Sequence, residues 1–312
     1  MIVISEDVWS EDFAALRSRF PIVHEPDLWS RREDLKKLLT SAHALVVRNR
    51  TQVDRELIAV APQLKVIARA GVGLDNIDIK AADERGIVVA AALGINAVAV
   101  AELTLGLALA VSRSIVERDS STRAGEWNRG AGSEISGKTW GLLGYGATGR
   151  ATSKLLAGFT DSILAYDPFV KNAEGVTLTS LDEVLKKADV LSIHLPATPE
   201  TIGLLNADKF ALMKKSSILV NVGRGEVINE GDLESALRDK TIAGAALDVR
   251  AQEPPKDKRF TDLTNVILTP HIAGITKESQ AAINHVLVSE IERALTGQPQ
   301  RYAVGSVKQA KP

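Results

Sequence analysis

Three residues with complementary charge chemistry lie late in the chain. Arg224 sits in Asn221-Val-Gly-Arg-Gly225, Glu253 in Asp248-Val-Arg-Ala-Gln-Glu-Pro-Pro255, and His271 in Thr269-Pro-His-Ile-Ala-Gly274. A planar guanidinium can pin a carboxylate bidentately while polarising a neighbouring carbonyl oxygen. An imidazole beside a carboxylate has its protonated form stabilised, which suits it to give a proton to a ketone oxygen and later remove one. Singly, each residue has an ordinary reading: a surface ion pair, a surface acid, a loop histidine. Each follows an apolar run that reads as a strand of a parallel sheet, where open α/β folds place their ligands. Together they point to proton exchange on a small molecule with a carboxylate next to its carbonyl.

A second constellation lies upstream. The apolar run Thr139–Leu143 leads into Gly144-Tyr-Gly-Ala-Thr-Gly149 and then into a helical pattern. Gly144 permits a tight turn, Gly146 lets the backbone approach a pyrophosphate, and Gly149 lets helix and strand pack closely. The helix N-terminus adds free N–H groups and the positive end of its dipole. Asp167 ends the next strand, Ile163-Leu-Ala-Tyr-Asp167, where a carboxylate can accept from ribose hydroxyls and would repel a 2′-phosphate. NAD is therefore expected in preference to NADP.

The elements that must position these residues form two series. The first alternates strand candidates Ile2–Ile4, Ile22–His24, Ala44–Val47, Val66–Arg69 and Ile87–Val89 with helical patterns near Glu11–Arg19, Arg31–Thr40, Asp54–Ala59 and Ile79–Arg85. The second has strands Thr139–Leu143, Ile163–Tyr166, Val190–Ile193, Ile218–Asn221, Gly244–Leu247 and Val266–Leu268. Helices at Thr148–Leu156, Leu181–Lys187, Asp208–Met213 and Glu230–Arg238 fit between them. The expected fold class is α/β with two doubly wound parallel-sheet domains, a Rossmann domain and a flavodoxin-like one. Between the two series, Ala97 to Arg118 reads as one long buried helix, apolar on most faces and suited to lie between packed bodies. Gly94, Asn96 and Glu102 argue against a membrane span there. A last helix, Ser279–Leu295, is expected to cross back to the first domain, leaving a weakly structured tail.

Bulk composition narrows the field. The chain has 312 residues and a net charge of −1, so neither nucleic acid nor an anionic membrane is expected as a partner. Cysteine is absent, which excludes disulfides and thiolate chemistry, and no metal site is expected. Met1-Ile-Val-Ile-Ser5 reads as a buried strand without a basic leader, so a cytoplasmic location is expected.

Over nearly its full length the sequence resembles the D-isomer-specific 2-hydroxyacid dehydrogenase family, most of all its 3-phosphoglycerate dehydrogenase group. Val46-Val-Arg-Asn-Arg-Thr-Gln-Val53, Ala68-Arg-Ala-Gly-Val-Gly-Leu-Asp-Asn-Ile-Asp78, Ala101-Glu-Leu-Thr104, the glycine loop with Asp167, and the three late phrases carry the resemblance. It implies a substrate domain of residues 1–95 and 290–312 around an NAD domain of residues 96–289. It implies a homodimer joined through the NAD domain, and hydride transfer between NAD and C2 of a D-configured 2-hydroxy or 2-keto acid. Arg224 then binds substrate carboxylate and carbonyl, His271 is the acid/base and Glu253 tunes it. The Gly71, Val72 and Gly73 backbone helps hold the carboxylate, and Val72, Ala147, Thr148, Val222 and Asp248 join the glycines and Asp167 as cofactor contacts. The chain departs from many relatives at Ala147-Thr148, where they carry an arginine and a branched aliphatic residue. It also ends soon after its final helix, so the serine-binding regulatory domain of many relatives is not expected.

Arg48 and Arg50, just after the strand Ala44–Val47, suggest a second anionic group on the substrate, and Arg69 is a further candidate. A phosphate on C3 satisfies this, as in 3-phosphoglycerate. A C3 sulfonate is equally coherent, because (S)-sulfolactate shares the D spatial arrangement. Glyoxylate or hydroxypyruvate is the alternative without a second anion, and an NAD(H)-sensing co-repressor is the alternative of another class. Trp140 reads as core and Trp127 as either packing or cover for a site mouth. His24, His43, His194 and His285 read as structural, with His194 near the expected nicotinamide side.

Overall fold

The computed structural model describes residues 1–8 and 11–310. The chain divides into two compact units, Met1–Asn96 with Thr276–Pro312, and Ala97–Ile275.

The first unit is built on β1 (Ile2–Ile4), β2 (Ile22–His24), β3 (Ala44–Val47), β4 (Val66–Arg69) and β5 (Val88–Ala91), hydrogen-bonded in the parallel order β2-β1-β3-β4-β5. This is the flavodoxin-like order, with its switch point between β1 and β3. The strands are short and apolar except where β2 ends in His24 and β4 in Arg69, because helices cover both sheet faces. One face buries Ile4, Val46, Ala68 and Ala90; the other buries Val3, Leu45, Ile67 and Val89.

The second unit carries β6 (Trp140–Leu143), β7 (Ile163–Tyr166), β8 (Thr177–Leu178), β9 (Val190–Ile193), β10 (Ile218–Asn221), β11 (Gly244–Leu247) and β12 (Val266–Leu268). Their order is β12-β11-β10-β9-β6-β7-β8, all parallel. From β6 the strands are added first toward β8 and then, from β9 on, toward the opposite edge, so the order reverses between β6 and β9. That is the Rossmann switch point, where a ligand crevice opens at the carboxyl ends of the strands.

Three sequence expectations change. The long helix is broken into Ala97–Ser112 and Ile115–Arg123, bent by 61° where Ser114 takes a left-handed φ of 47°. Among the described residues no single helix is long and apolar enough to cross a membrane. The boundary expected at residues 289/290 moves to Ile275/Thr276, because the whole helix Lys277–Leu295 belongs to the first unit. Its stripe Ile283, Leu287, Ile291 and Ala294 packs with Ala68 and Ala90, and the Thr276–Ser279 capping box starts it at the boundary.

The tail is also ordered. β13 (Ala303–Val304) pairs antiparallel with β5. Glu290, almost fully buried, accepts from the Arg301 and Tyr302 N–H groups at 3.0 Å each. Asp83 accepts from the Ser306 N–H at 2.9 Å. Two carboxylates thus satisfy a backbone stretch too short to order itself as a strand.

Candidate active site

The glycine loop leaves β6 at the switch point. Gly144 takes a φ of +94°, and a Cβ there would come within 2.9 Å of the His194 carbonyl oxygen beyond β9. A Cβ on Gly149 would overlap the Gly144 carbonyl oxygen, so the helix Ala147–Leu156 rests directly on the loop it follows. Around Gly146 nothing lies within 4 Å of a built Cβ, which leaves open backbone beside the helix N-terminus. Ala147 is exposed and Thr148 half-buried in that first turn. Asp167 accepts from Tyr145 N at 2.8 Å through Oδ2, and from Phe169 N at 2.9 Å through Oδ1. Oδ1 also accepts from Val170 N at 3.2 Å, so Oδ2 is the oxygen that keeps lone-pair capacity for a ribose hydroxyl. Open backbone, helix N-terminus and acid at the end of the second strand fit a dinucleotide.

Arg224, Glu253 and His271 come together at the same end of this sheet. Buried Asn221 ends β10; its Nδ2 donates to the Arg224 carbonyl at 3.0 Å and its Oδ1 accepts from Gly223 N at 3.1 Å. That closes the turn presenting Arg224, whose Nη1 also donates to the Gly223 carbonyl at 2.9 Å. Asp248, after β11, builds the turn that carries the histidine. Its Oδ1 accepts from Thr269 Oγ1 at 2.6 Å and Ile272 N at 2.9 Å, its Oδ2 from Ala273 N at 2.9 Å, and its carbonyl from His271 N at 2.8 Å. These bonds hold His271 at a left-handed φ of 54°, a conformation a non-glycine residue keeps only when its surroundings enforce it.

His271 Nδ1 and Glu253 Oε2 lie 2.6 Å apart, and Glu253 Oε1 accepts from Arg250 N at 3.0 Å. Burial opposes the charge on Glu253, but hydrogen bonds from His271 and Arg250 N–H, with the positive charges of His271 and Arg224, more than offset it. The carboxyl therefore sits below the usual range. With Nδ1 held, Nε2 is the ring nitrogen left for exchange with a ligand.

In the first unit, Glu6 follows β1 and Arg48 follows β3, on either side of that sheet's switch point. The buried Glu6 carboxylate accepts from the N–H groups of Arg48 at 2.7 Å, Arg50 at 3.0 Å and Thr51 at 3.0 Å. Asn76 Nδ2 donates to the Arg48 and Thr51 carbonyls at 3.0 and 2.7 Å. The loop is thus fixed by its backbone while its guanidiniums stay available. The Arg50 guanidinium lies 5.0 Å over the Trp29 ring, and among the described residues no carboxylate pairs with Arg48 or Arg50. Arg69 differs: it is buried, and its Nη1 donates to the Ala70 carbonyl at 2.8 Å, beside the half-buried Gly71, Val72 and Gly73.

A family model described as "D-isomer specific 2-hydroxyacid dehydrogenase, NAD binding domain" matches residues 105–273. The chain belongs to this family. It is 42% identical over 274 residues to D-3-phosphoglycerate dehydrogenase of Methanocaldococcus jannaschii, covering 86% of this chain and 52% of that one. It therefore spans about half the length of such curated relatives. Glyoxylate reductase of Thermofilum pendens is 40% identical over 293 residues, covering 89% of this chain and 86% of its own. A solved structure from Thermus thermophilus superposes with a TM-score of 0.91 at 33% identity, covering 97% of this chain and 99% of that one.

Several supports of the site carry no signal in the sequence, some of them inside the phrases quoted above. Asn221 and Thr269 were visible but carried no signal of what they hold. Asp248, expected as a cofactor contact, also builds the His271 turn. Glu6 had no signal at all, since an acid after a first strand is ordinary. His194 was expected as structural, and its ring accepts a place in a buried relay: Trp140 Nε1 donates to Ser192 Oγ at 2.9 Å, and Ser192 Oγ lies 3.0 Å from His194 Nε2.

Proposed function

We propose that this protein is an NAD-dependent dehydrogenase that interconverts a D-configured 2-hydroxy acid and its 2-keto acid. The observation that carries the reading is the His271 Nδ1–Glu253 Oε2 contact of 2.6 Å on the carboxyl edge of a dinucleotide sheet, with Arg224 acting on the same carboxylate. NAD, when bound along Gly144–Gly149 and Asp167, supplies a hydride acceptor for C2. Val222 and Asp248 join those residues as cofactor contacts. Arg224 binds the substrate carboxylate and polarises the C2 oxygen. His271 Nε2 takes the hydroxyl proton during oxidation and returns it during reduction, while Glu253 stabilises the imidazolium between the two. The test is His271→Ala, expected to lower turnover at least 1,000-fold while NADH still binds by fluorescence titration. Near-normal turnover in that variant removes the assignment.

The substrate reading adds a second anion, as in 3-phosphoglycerate or (S)-sulfolactate. It is supported by two guanidiniums without carboxylate partners among the described residues, on a loop fixed by Glu6 and Asn76. Arg69, bonded to its own neighbour, is the weaker contributor. The naming of relatives as D-3-phosphoglycerate dehydrogenase points the same way, while the naming of another as glyoxylate reductase favours a small substrate with no second anion. A panel of phosphoglycerate, both sulfolactate enantiomers, D-lactate, D-glycerate and malate separates these. Phosphoglycerate and (S)-sulfolactate should exceed D-lactate in kcat/KM, and Arg50→Ala should narrow the gap; parity with D-lactate turns the assignment to the small substrates.

A cytoplasmic homodimer completes the reading. Val98, Ile115, Val116 and Trp127 are each more than half exposed along Ala97–Arg123 and just beyond. Light scattering of the purified chain checks it; a monomer at micromolar concentration removes the dimer.

A further inference from the structure

Among the loops that carry the candidate chemistry of the second unit, one follows β10 with Arg224 and the next follows β11 with Glu253. A charged pair joins them. Arg250 Nε donates to Glu230 Oε1 at 2.8 Å and Nη2 to Glu230 Oε2 at 2.9 Å, a two-bond fork. Glu230 opens the helix Glu230–Arg238, which follows the Arg224 loop. Its Oε1 also accepts from Ala251 N at 2.9 Å. The Arg250 side chain is 9% exposed and that of Glu230 14%, and the guanidinium lies 4.9 Å over the buried Phe260 ring. Asp257, 3.4 Å from Arg250 Nη2, is the other carboxylate on this guanidinium, and Arg259 pairs with Asp257 in turn.

The backbone joins where the side chains do. A Cβ on Gly225, next to Arg224, would overlap the carbonyl of Arg250 and the nitrogen of Ala251. The Arg250–Ala251 peptide therefore rests on Gly225 and is fixed by Glu230 through Ala251 N. On the other side of the Arg250 Cα, the N–H of the adjoining Val249–Arg250 peptide holds Glu253 Oε1 at 3.0 Å, which turns Oε2 to His271.

We propose that Arg250 and Glu230 are positioning residues: their ion pair holds the Arg250–Ala251 peptide so that Glu253 keeps one carboxylate oxygen on His271. A buried ion pair is a poor source of net stability, because desolvation offsets most of its Coulombic gain; a bidentate fork does give fixed geometry. Glu253 is about one-third exposed at its side chain. Without the Arg250 N–H at its first oxygen, it has room for rotamers that leave His271. The pair thus governs how much of the time the imidazole has its carboxylate, and acts on substrate only through Glu253 and His271.

The inference rests on His271 as the acid/base, so the test reads the histidine before it reads turnover. Full-length protein with 15N-labelled histidine is titrated by NMR, and His271 is identified by the signal missing from His271→Ala. In Arg250→Met the titration midpoint of His271 should fall by about one unit, toward the value in Glu253→Gln. Arg250→Lys, which keeps the charge but not the fork, should lie between. NADH affinity should stay within twofold of wild type in all three. Adding Glu253→Gln to Arg250→Met should move the midpoint little further, because both act through one contact. Should Arg250→Met not fold, Arg250→Lys and Glu230→Gln carry the same comparison. An unchanged midpoint in a folded variant, or fully additive shifts in the double variant, overturns the proposal. Failure of the dehydrogenase reading shows separately, as turnover that survives His271→Ala.

Discussion

His271 Nδ1 and Glu253 Oε2 are 2.6 Å apart although 18 residues separate them, and each is held from behind. Asp248 fixes the histidine turn and Arg250 N–H the second carboxylate oxygen. Contact between a charged carboxylate and an imidazole favours the imidazolium, and Glu253 is ionised above its depressed range. Glu253→Gln keeps the shape and removes the charge. Keto-acid reduction needs the protonated ring, so its alkaline fall-off should move to lower pH, with kcat reduced roughly 100-fold at neutral pH. A pH–rate profile checks this; an unshifted limb would mean that Glu253 does not tune the ring.

The two later glycines of the nucleotide loop should fail differently. A Cβ on Gly149 would overlap the Gly144 carbonyl oxygen, so Gly149→Ala should lose about 1–3 kcal/mol of stability along with NADH binding. A Cβ on Gly146 meets nothing within 4 Å, so Gly146→Ala should keep its stability and weaken only NADH binding. Thermal melts beside fluorescence titrations separate the two effects.

Asp167 has a structural task beside the nucleotide one proposed for it, because Tyr145, Phe169 and Val170 all donate backbone N–H groups to it. Asp167→Ser should raise the NADPH/NADH preference at least tenfold by removing repulsion of the 2′-phosphate, and should lower the melting temperature. A changed preference with unchanged stability would show those backbone groups to be satisfied in another way.

His194 should make stability depend on acid. Trp140 Nε1 donates to the Ser192 hydroxyl, whose oxygen lies 3.0 Å from His194 Nε2, so the neutral ring bonds there in either tautomer. Burial pushes the imidazole down to about 3. The unfolded chain binds this proton near pH 6.5 and the folded chain does not, so stability contributed above about 6.5 is lost as pH falls toward 3. The slope approaches ~1.4 kcal/mol per pH unit for one proton. Urea melts between pH 4 and 7 should show that slope shrinking by one proton in His194→Gln. Parallel wild-type and variant curves would refute the buried neutral ring.

Local pattern determined most of the scaffold. The apolar runs Ala44–Val47, Val66–Arg69 and Ile218–Asn221 are strands as read, because a strand covered on both faces must be apolar throughout. The glycine spacing and the three late phrases were legible because turns and strand ends restrict residue type over a few positions. Other features depend on distant partners. The tail reads as unstructured until Glu290 and Asp83 accept its N–H groups. One apolar helix runs through the pattern until Ser114 turns left-handed and breaks it. Likewise, an acid, an arginine and a glycine at 230, 250 and 225 are unremarkable letters in sequence. Only the fold brings the β10 and β11 loops close enough for the Arg250–Ala251 peptide to rest on Gly225 and bond Glu230, while the N–H of Arg250 in the peptide before it holds Glu253 beside His271. Periodicity records which face of an element is buried; it does not record which two loop atoms will finish within hydrogen-bonding distance.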